Sequence, residues 1–326
     1  MKNLVENFPK QLSEAYDIAN KANLSPKSNI QNIIVTGLGG SGIGGTILSE
    51  LVSDVCPVPI LINKDYFLPA FVNSNSLVIV SSYSGNTEET LEAMQQAIDK
   101  KAQVICITSG GKVEELAKVN RFDVIKIPGG NPPRSCIGYS LTQLIKIAVH
   151  YSFAPVSVLT DVEKSISLLR SESENIKTLA MQIAKKLENK LTVIYSLGTA
   201  EGVSVRFRQQ INENSKMLCW HHVFPEMNHN ELVGWTTKND NLAVVTFKTS
   251  FDYKRTVKRY EVCKPIFEKY SDSVTDIVAK GNSKLEQYFY LIHLGDWISC
   301  YLADLKNIDP VEVNVIDHLK KELSKF

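Results

Sequence analysis

Two turns in this 326-residue chain carry the groups that hold an anion. The first is Gly37-Leu38-Gly39-Gly40-Ser41-Gly42-Ile43-Gly44-Gly45, which follows an apolar run and opens a helical segment. Its glycines let backbone approach a ligand closely, and Ser41 adds a hydroxyl beside Gly40. It contains G-x-G-x-x-G from Gly37 to Gly42. The next strand, however, ends Ile62-Asn63-Lys64, without the acidic residue that would bind a ribose, and no Gly-Lys-Ser/Thr completes a P-loop. The second turn is Ser81-Ser82-Tyr83-Ser84-Gly85-Asn86-Thr87-Glu88-Glu89-Thr90. Hydroxyls at Ser82, Ser84 and Thr87, with the free N–H groups and positive dipole end of a helix, make a neutral cradle for a phosphate. The competing reading is an N-cap by Asn86 or Thr87 with Glu88 and Glu89 in the first turn. Three hydroxyls exceed what a cap requires.

Charged groups that could work on a bound ligand lie further on. Glu213, in Asn212-Glu213-Asn214, falls late in a helical stretch from Glu201. Arg206, Gln209, Gln210 and Glu213 recur at spacings of three and four and so share a face. A carboxylate at the negative end of a helix dipole suits a general base; a solvated helix-end glutamate is the alternative. Arg134 follows Pro132-Pro133 and is either a surface arginine or a donor that stabilises developing negative charge. The segment Phe224-Pro225-Glu226-Met227-Asn228-His229-Asn230-Glu231 is too polar for core. His221 and His222 sit in an alternating stretch after Trp220 and read as structural.

The elements that must position these groups alternate. Short apolar runs, Ile33–Val35, Pro59–Ile62, Leu77–Val80, Val104–Ile107 and Val124–Ile127, are separated by helical patterns at Ile43–Val52, Glu88–Lys100 and Lys112–Val119. Strands this apolar are covered on both faces, the mark of a parallel sheet in a doubly wound α/β domain. Helices are predicted over 1–24, Leu141–Phe153, Asp161–Asn189, Glu201–Lys216, Leu285–Leu305 and Val311–Leu323, and strands at Leu191–Tyr195, Leu242–Phe247 and Val274–Val278. A boundary near Ala154-Pro155 divides the chain into 1–154 and 155–326. The halves resemble a degenerate duplication, with Leu38-Gly39 echoed by Leu197-Gly198.

Composition excludes several classes. Charged residues make up 22% and hydrophobic residues 44%, ordinary globular values, and the formal net charge is +1. Nothing in that balance advertises nucleic acid. No apolar run approaches the ~18–20 residues that span a bilayer, and the Met1–Glu6 start is too charged for a signal peptide. Six cysteines and six histidines show neither C-x-x-C nor H-E-x-x-H spacing, so neither a metal nor a redox pair is expected. A cytoplasmic protein with buried thiols is the expectation.

Taken together, the Ser-Tyr-Ser-Gly-Asn-Thr turn, Gly-Gly-Ser-Gly-Ile-Gly-Gly, Pro-Pro-Arg and Asn-Glu-Asn…Pro-Glu-Met-Asn-His-Asn-Glu resemble the bifunctional phosphoglucose/phosphomannose isomerases, from near Ile30 to the end. The resemblance implies two doubly wound, flavodoxin-like sugar isomerase (SIS) domains with C-terminal helices. It also implies a homodimer that needs no metal or organic cofactor. It assigns the phosphate to Gly40, Ser41, Ser82, Ser84 and Thr87. Glu213 matches the family's enediol base, His229 the ring-opening histidine that arrives from a neighbouring subunit, Arg134 the guanidinium near the enediolate, and Lys320 the lysine that helps open the ring. Lys321 is its immediate neighbour. The family often carries a threonine a few residues upstream of that lysine, credited with mannose phosphate activity. Val311-Glu312-Val313 has no hydroxyl there.

The expected activity is therefore reversible isomerisation of glucose 6-phosphate, and of mannose 6-phosphate, to fructose 6-phosphate. Rival readings are a non-catalytic SIS sensor of a sugar phosphate, an SIS isomerase of another sugar phosphate, and a nicotinamide dehydrogenase. Fold and phosphate turn alone do not separate the SIS readings. No membrane or nucleic-acid partner is expected.

Overall fold

In the computed structural model, which describes residues 1–325, the run Ile33–Val35 lies inside a parallel sheet, with a neighbouring strand on each side. The chain opens with α1 (Lys2–Glu6) and α2 (Phe8–Lys21) where one helix was expected. Pro9 has no N–H for a continuous ladder, so the helix restarts around it, in the first turn where proline is tolerated. Then β1 (Asn32–Thr36), α3 (Gly39–Leu51), β2 (Ile60–Asn63), β3 (Ser76–Ser82), α4 (Glu88–Asp99), β4 (Gln103–Thr108), α5 (Gly111–Asn120) and β5 (Asp123–Lys126) follow. Their strands lie in the order β2-β1-β3-β4-β5, all parallel, with Val35 opposite both Ile62 and Ile79.

Three helices lead to the second half: α6 (Ile137–His150), α7 (Val156–Ser171) and α8 (Ser173–Leu187). The single long helix expected over 161–189 is broken at Glu172, whose carboxylate accepts from Lys280 Nζ at 2.6 Å. After it come β6 (Leu191–Ser196), α9 (Glu201–Ser215), β7 (Cys219–Val223), β8 (Leu242–Lys248), α10 (Lys254–Tyr270) and β9 (Val274–Val278). These strands are also parallel, in the order β7-β6-β8-β9, which repeats the order of the first four. The histidine-bearing stretch after Leu218 is thus an edge strand, polar because it is only half covered. Two helices close the chain, α11 (Lys284–Leu305) and α12 (Asn314–Leu323). The last one starts later than Val311 because the carbonyls of 309–312 are taken by side chains instead of a helical ladder.

Successive strand residues point to opposite faces, and both faces are used. Val35 and Ile79 of the first sheet and Ile194 and Val245 of the second face a shared helical layer with Leu12, Leu144, Phe207 and Phe289. Its centre is α11, buried almost all round and packed against α7, α8 and α9. On the outer faces, Ile34, Val78 and Val80 meet α4 and α5, and Val193, Tyr195 and Val244 meet α10. One continuous core thus ties together two sheets that fall on either side of residues 154–155. No helix among the described residues is long and apolar enough to cross a membrane.

Candidate active site

The two sequence-flagged turns meet at the carboxyl ends of β1 and β3, where open parallel sheets bind ligands. The Tyr83 N–H donates to Ser41 Oγ at 3.1 Å, and Ser81 Oγ donates to the Ser41 carbonyl at 3.1 Å. Ser41 thereby joins the N-terminus of α3 to the loop after β3. Ser82 and Thr87 share a hydroxyl–hydroxyl bond of 3.1 Å. Thr87 is the N-cap of α4 by position, yet its side chain makes no cap bond. Asn86 does not cap either; it closes a local turn with Ser84 and accepts from the Lys112 N–H. The first-turn N–H groups of α4 therefore face outward beside three hydroxyls, the arrangement an anion needs. Gly85, at φ +69°, permits the sharp turn: a Cβ there would lie 1.8 Å from the Gly110 carbonyl oxygen.

Gly40 links this cradle to the charged groups. A Cβ on Gly40 would lie 2.8 Å from the Pro133 carbonyl oxygen and 3.0 Å from the Arg134 Cα, so only glycine allows this approach. Arg134 is 5% exposed and sits in a 3-10 turn, Pro133–Ser135. Its Nε donates to Asn214 Oδ1 at 2.8 Å, Nη2 to the carbonyls of Pro310 (2.6 Å) and Val311 (3.0 Å), and Nη1 to Glu213 Oε2 at 3.4 Å. Among the described residues four of the five guanidinium donors are thus engaged, and the one left belongs to Nη1, beside Glu213.

Glu213 and Asn214 are held by what lies beneath α9. Arg206 Nη2 donates to both oxygens of Asp296 (2.7 and 3.0 Å) and to the Arg134 carbonyl (3.1 Å). Gln210 Nε2 donates to Asp296 Oδ1 at 2.7 Å, and Asn214 Nδ2 to Ser299 Oγ at 3.0 Å. Burial pushes the Asp296 carboxyl up, while Arg206 and Gln210 pull it down. Of the face read from the sequence, Arg206 and Gln210 thus anchor the helix, and Gln209 is not in the network. At the other end of α9, Glu50 of α3 accepts from the Gly202 N–H at 2.7 Å. Burial raises the Glu50 carboxyl to about 8.

His229 and Lys320 are placed differently. His229 ends an exposed 3-10 turn, Glu226–His229, anchored by buried Met227. Asn230 braces that loop by donating to Glu226 Oε1 at 2.8 Å, and Glu231 by accepting from Tyr195 OH. Lys320 and Lys321 both lie exposed on α12, no residue of which is buried. Within the described residues neither His229 nor Lys320 contacts the Glu213–Arg134 pair through a hydrogen bond or ion pair. His221 is half-buried in β7, and burial, then Arg208 and the other cations nearby, push it down to about 4, which keeps it neutral. No group of three or more potential metal ligands forms among the described residues.

Residues 176–323 match the family model of the bacterial phospho-glucose isomerase C-terminal SIS domain. A bifunctional phosphoglucose/phosphomannose isomerase of Caldicellulosiruptor bescii is 42% identical over 99% of this chain and 98% of its own. The corresponding Aquifex aeolicus enzyme is 35% identical over 99% and 98%. This chain belongs to the bifunctional phosphoglucose/phosphomannose isomerase family. The fold also matches a tagatose-6-phosphate ketose/aldose isomerase from Escherichia coli, at a TM-score of 0.73 and 14% identity over 94% of this chain and 93% of that one.

The second sheet holds a comparable pair of turns, built differently. There the turn after β6 and the loop after β8 are joined by the Asp252 carboxylate. It accepts from Thr199 Oγ1 at 2.6 Å, from the Thr249 N–H at 2.7 Å and from Thr249 Oγ1 at 2.8 Å. Sequence reasoning missed Asn214, Asp296, Ser299, Glu50 and Lys216. The only signal for any of them was the Asn-Glu-Asn run, which placed Asn214 next to Glu213.

Proposed function

We propose that this isomerase interconverts glucose 6-phosphate, and mannose 6-phosphate, with fructose 6-phosphate through an enediol. The phosphate rests on Gly40, Ser41, Ser82, Ser84 and Thr87. His229 protonates the ring oxygen and, with Lys320, opens the ring. Glu213 removes the C2 proton and returns it to C1, while the free donor on Arg134 Nη1 steadies the enediolate oxygen. Both aldoses give the same enediol, so one base serves both. The carrying observation is the Glu213 carboxylate facing a buried guanidinium whose own backbone abuts the cradle at Gly40. We read residues 1–154 and 155–326 as the two SIS units, one supplying the cradle and the other the base.

A homodimer completes the reading. Val315, Ile316, Leu319 and Leu323 of α12 are all exposed in the single chain, an apolar face that association would cover. The exposed His229 loop is then free to enter the neighbouring site. Six unpaired cysteines fit a reducing, cytoplasmic setting.

The test is fructose 6-phosphate formation in EDTA from each aldose separately. Turnover of both is expected, with Glu213→Gln lowering kcat by about 10²–10⁴-fold. A variant within a few-fold of wild type would remove Glu213 as the base. Tight phosphosugar binding with no turnover by the wild type would favour a sensor instead.

A further inference from the structure

Four consecutive backbone carbonyls, those of Asp309, Pro310, Val311 and Glu312, are received by two cations. Arg134 Nη2 takes the middle pair. Lys216 Nζ takes the outer pair, at 3.2 Å from Asp309 O and 2.6 Å from Glu312 O, and spends its third donor on the carbonyl of Glu213 itself, at 2.7 Å. Lys216 can do this because it caps α9 in the left-handed region, at φ +50°, which folds its side chain back over the helix end. The carbonyls there are otherwise unpaired, and a cation is favoured at that end of the dipole. Lys306, just past the end of α11, covers two more, on Ser215 and Lys216. The clasped strap then leads directly into α12, which has no buried residue of its own to fix its position.

We infer that Lys216 is a positioning residue: together with Arg134 it clasps residues 309–312 beside Glu213 and so sets where α12 presents Lys320. The inference rests on the catalytic reading above only for the role of Lys320; the clasp itself does not depend on it. The strap has no side-chain anchor in the core, so its place is set by these cation–carbonyl bonds. Losing one cation leaves Arg134 to hold two carbonyls alone.

The experiment is Lys216→Met, which keeps an unbranched stem, one atom shorter, and removes the donors. Hydrogen exchange read by mass spectrometry should show the amides of 311–323 exchanging at least about tenfold faster, with the sheets unchanged. With fructose 6-phosphate as substrate, kcat should fall by about 10- to 100-fold while KM stays near wild type, because the phosphate cradle is untouched. In a Lys320→Ala background the same substitution should cost little more. Unchanged exchange over 311–323 would overturn the clasp. An equal loss of kcat with and without Lys320 would overturn its action through that lysine. If wild-type protein showed no isomerase turnover, the catalytic reading would fall, and the exchange measurement would still decide the clasp. Should Lys216→Met not fold, Lys216→Gln, which retains a single donor pair, enters the same assays.

Discussion

At the scale of single residues, the site rests on a buried ion pair that does no chemistry of its own. Arg206 and Asp296 are 2% and 5% exposed and hold α9 against α11. Removing one partner leaves a buried charge unpaired, so Asp296→Ala should cost about 3–5 kcal/mol in urea unfolding. Replacing both, as Arg206→Met with Asp296→Leu, should restore most of that stability and still lower kcat, since Gln210 and the Arg134 carbonyl also lose their partner. If the double variant were as active as wild type, this pair would have no part in aligning Glu213. Selectivity can also be tested at a single residue. The Val311 carbonyl lies on Arg134, so the short segment through Val313 runs alongside the Glu213–Arg134 pair. Val313→Thr should raise turnover of mannose 6-phosphate relative to glucose 6-phosphate. An unchanged ratio would locate the discrimination elsewhere.

At the scale of elements, three helices each bring one end to the candidate site. The N-termini of α3 and α4 frame the cradle, and the C-terminus of α9 presents Glu213. The 3-10 turn bearing His229 and the helix bearing Lys320 are exposed, and neither residue bonds to Glu213 or Arg134 among the described residues. The shared site proposed above can be tested by subunit mixing. Glu213→Gln and His229→Ala, each inactive alone, should recover about a quarter of wild-type activity when dissociated and reassociated together, because half the dimers then hold one intact site. No recovery from a mixture shown to exchange subunits would mean that His229 serves its own chain.

At the scale of the whole molecule, the contact between halves carries a titratable group. Glu50 Oε1 accepts from Gly202, while Oε2 is buried with no partner among the described residues. Its carboxyl stands at about 8, against an ordinary 4.5. The folded chain therefore keeps a proton that the unfolded chain has lost between those values. The contribution of Glu50 to stability is full below about 4.5 and declines as pH rises through about 8, by up to about 1.4 kcal/mol per pH unit. Glu50→Gln keeps the acceptor and abolishes the proton exchange. Chemical denaturation across pH 5–9 should show the variant losing less stability than wild type as pH rises; parallel curves would rule out Glu50 as the source.

What the sequence by itself determined is whatever depends on near neighbours. Apolar runs such as Leu77–Val80 can be satisfied only inside a sheet covered on both sides, and Gly85 with Ser82, Ser84 and Thr87 spells out a turn whose chemistry is local. Glu213 and Arg134 were visible as residue types and through their family resemblance, without a hint that they touch. Only the tertiary structure decided that, because Arg134 reaches Asn214 across 80 positions and Pro310 across 176. The same holds for Asp296 under Arg206, Glu50 at Gly202, Lys216 on the strap and Asp252 between Thr199 and Thr249. Each is an ordinary polar residue in sequence. Each acquires its role only when distant parts of the chain are brought together and leave a backbone or side-chain polar group in reach of a partner.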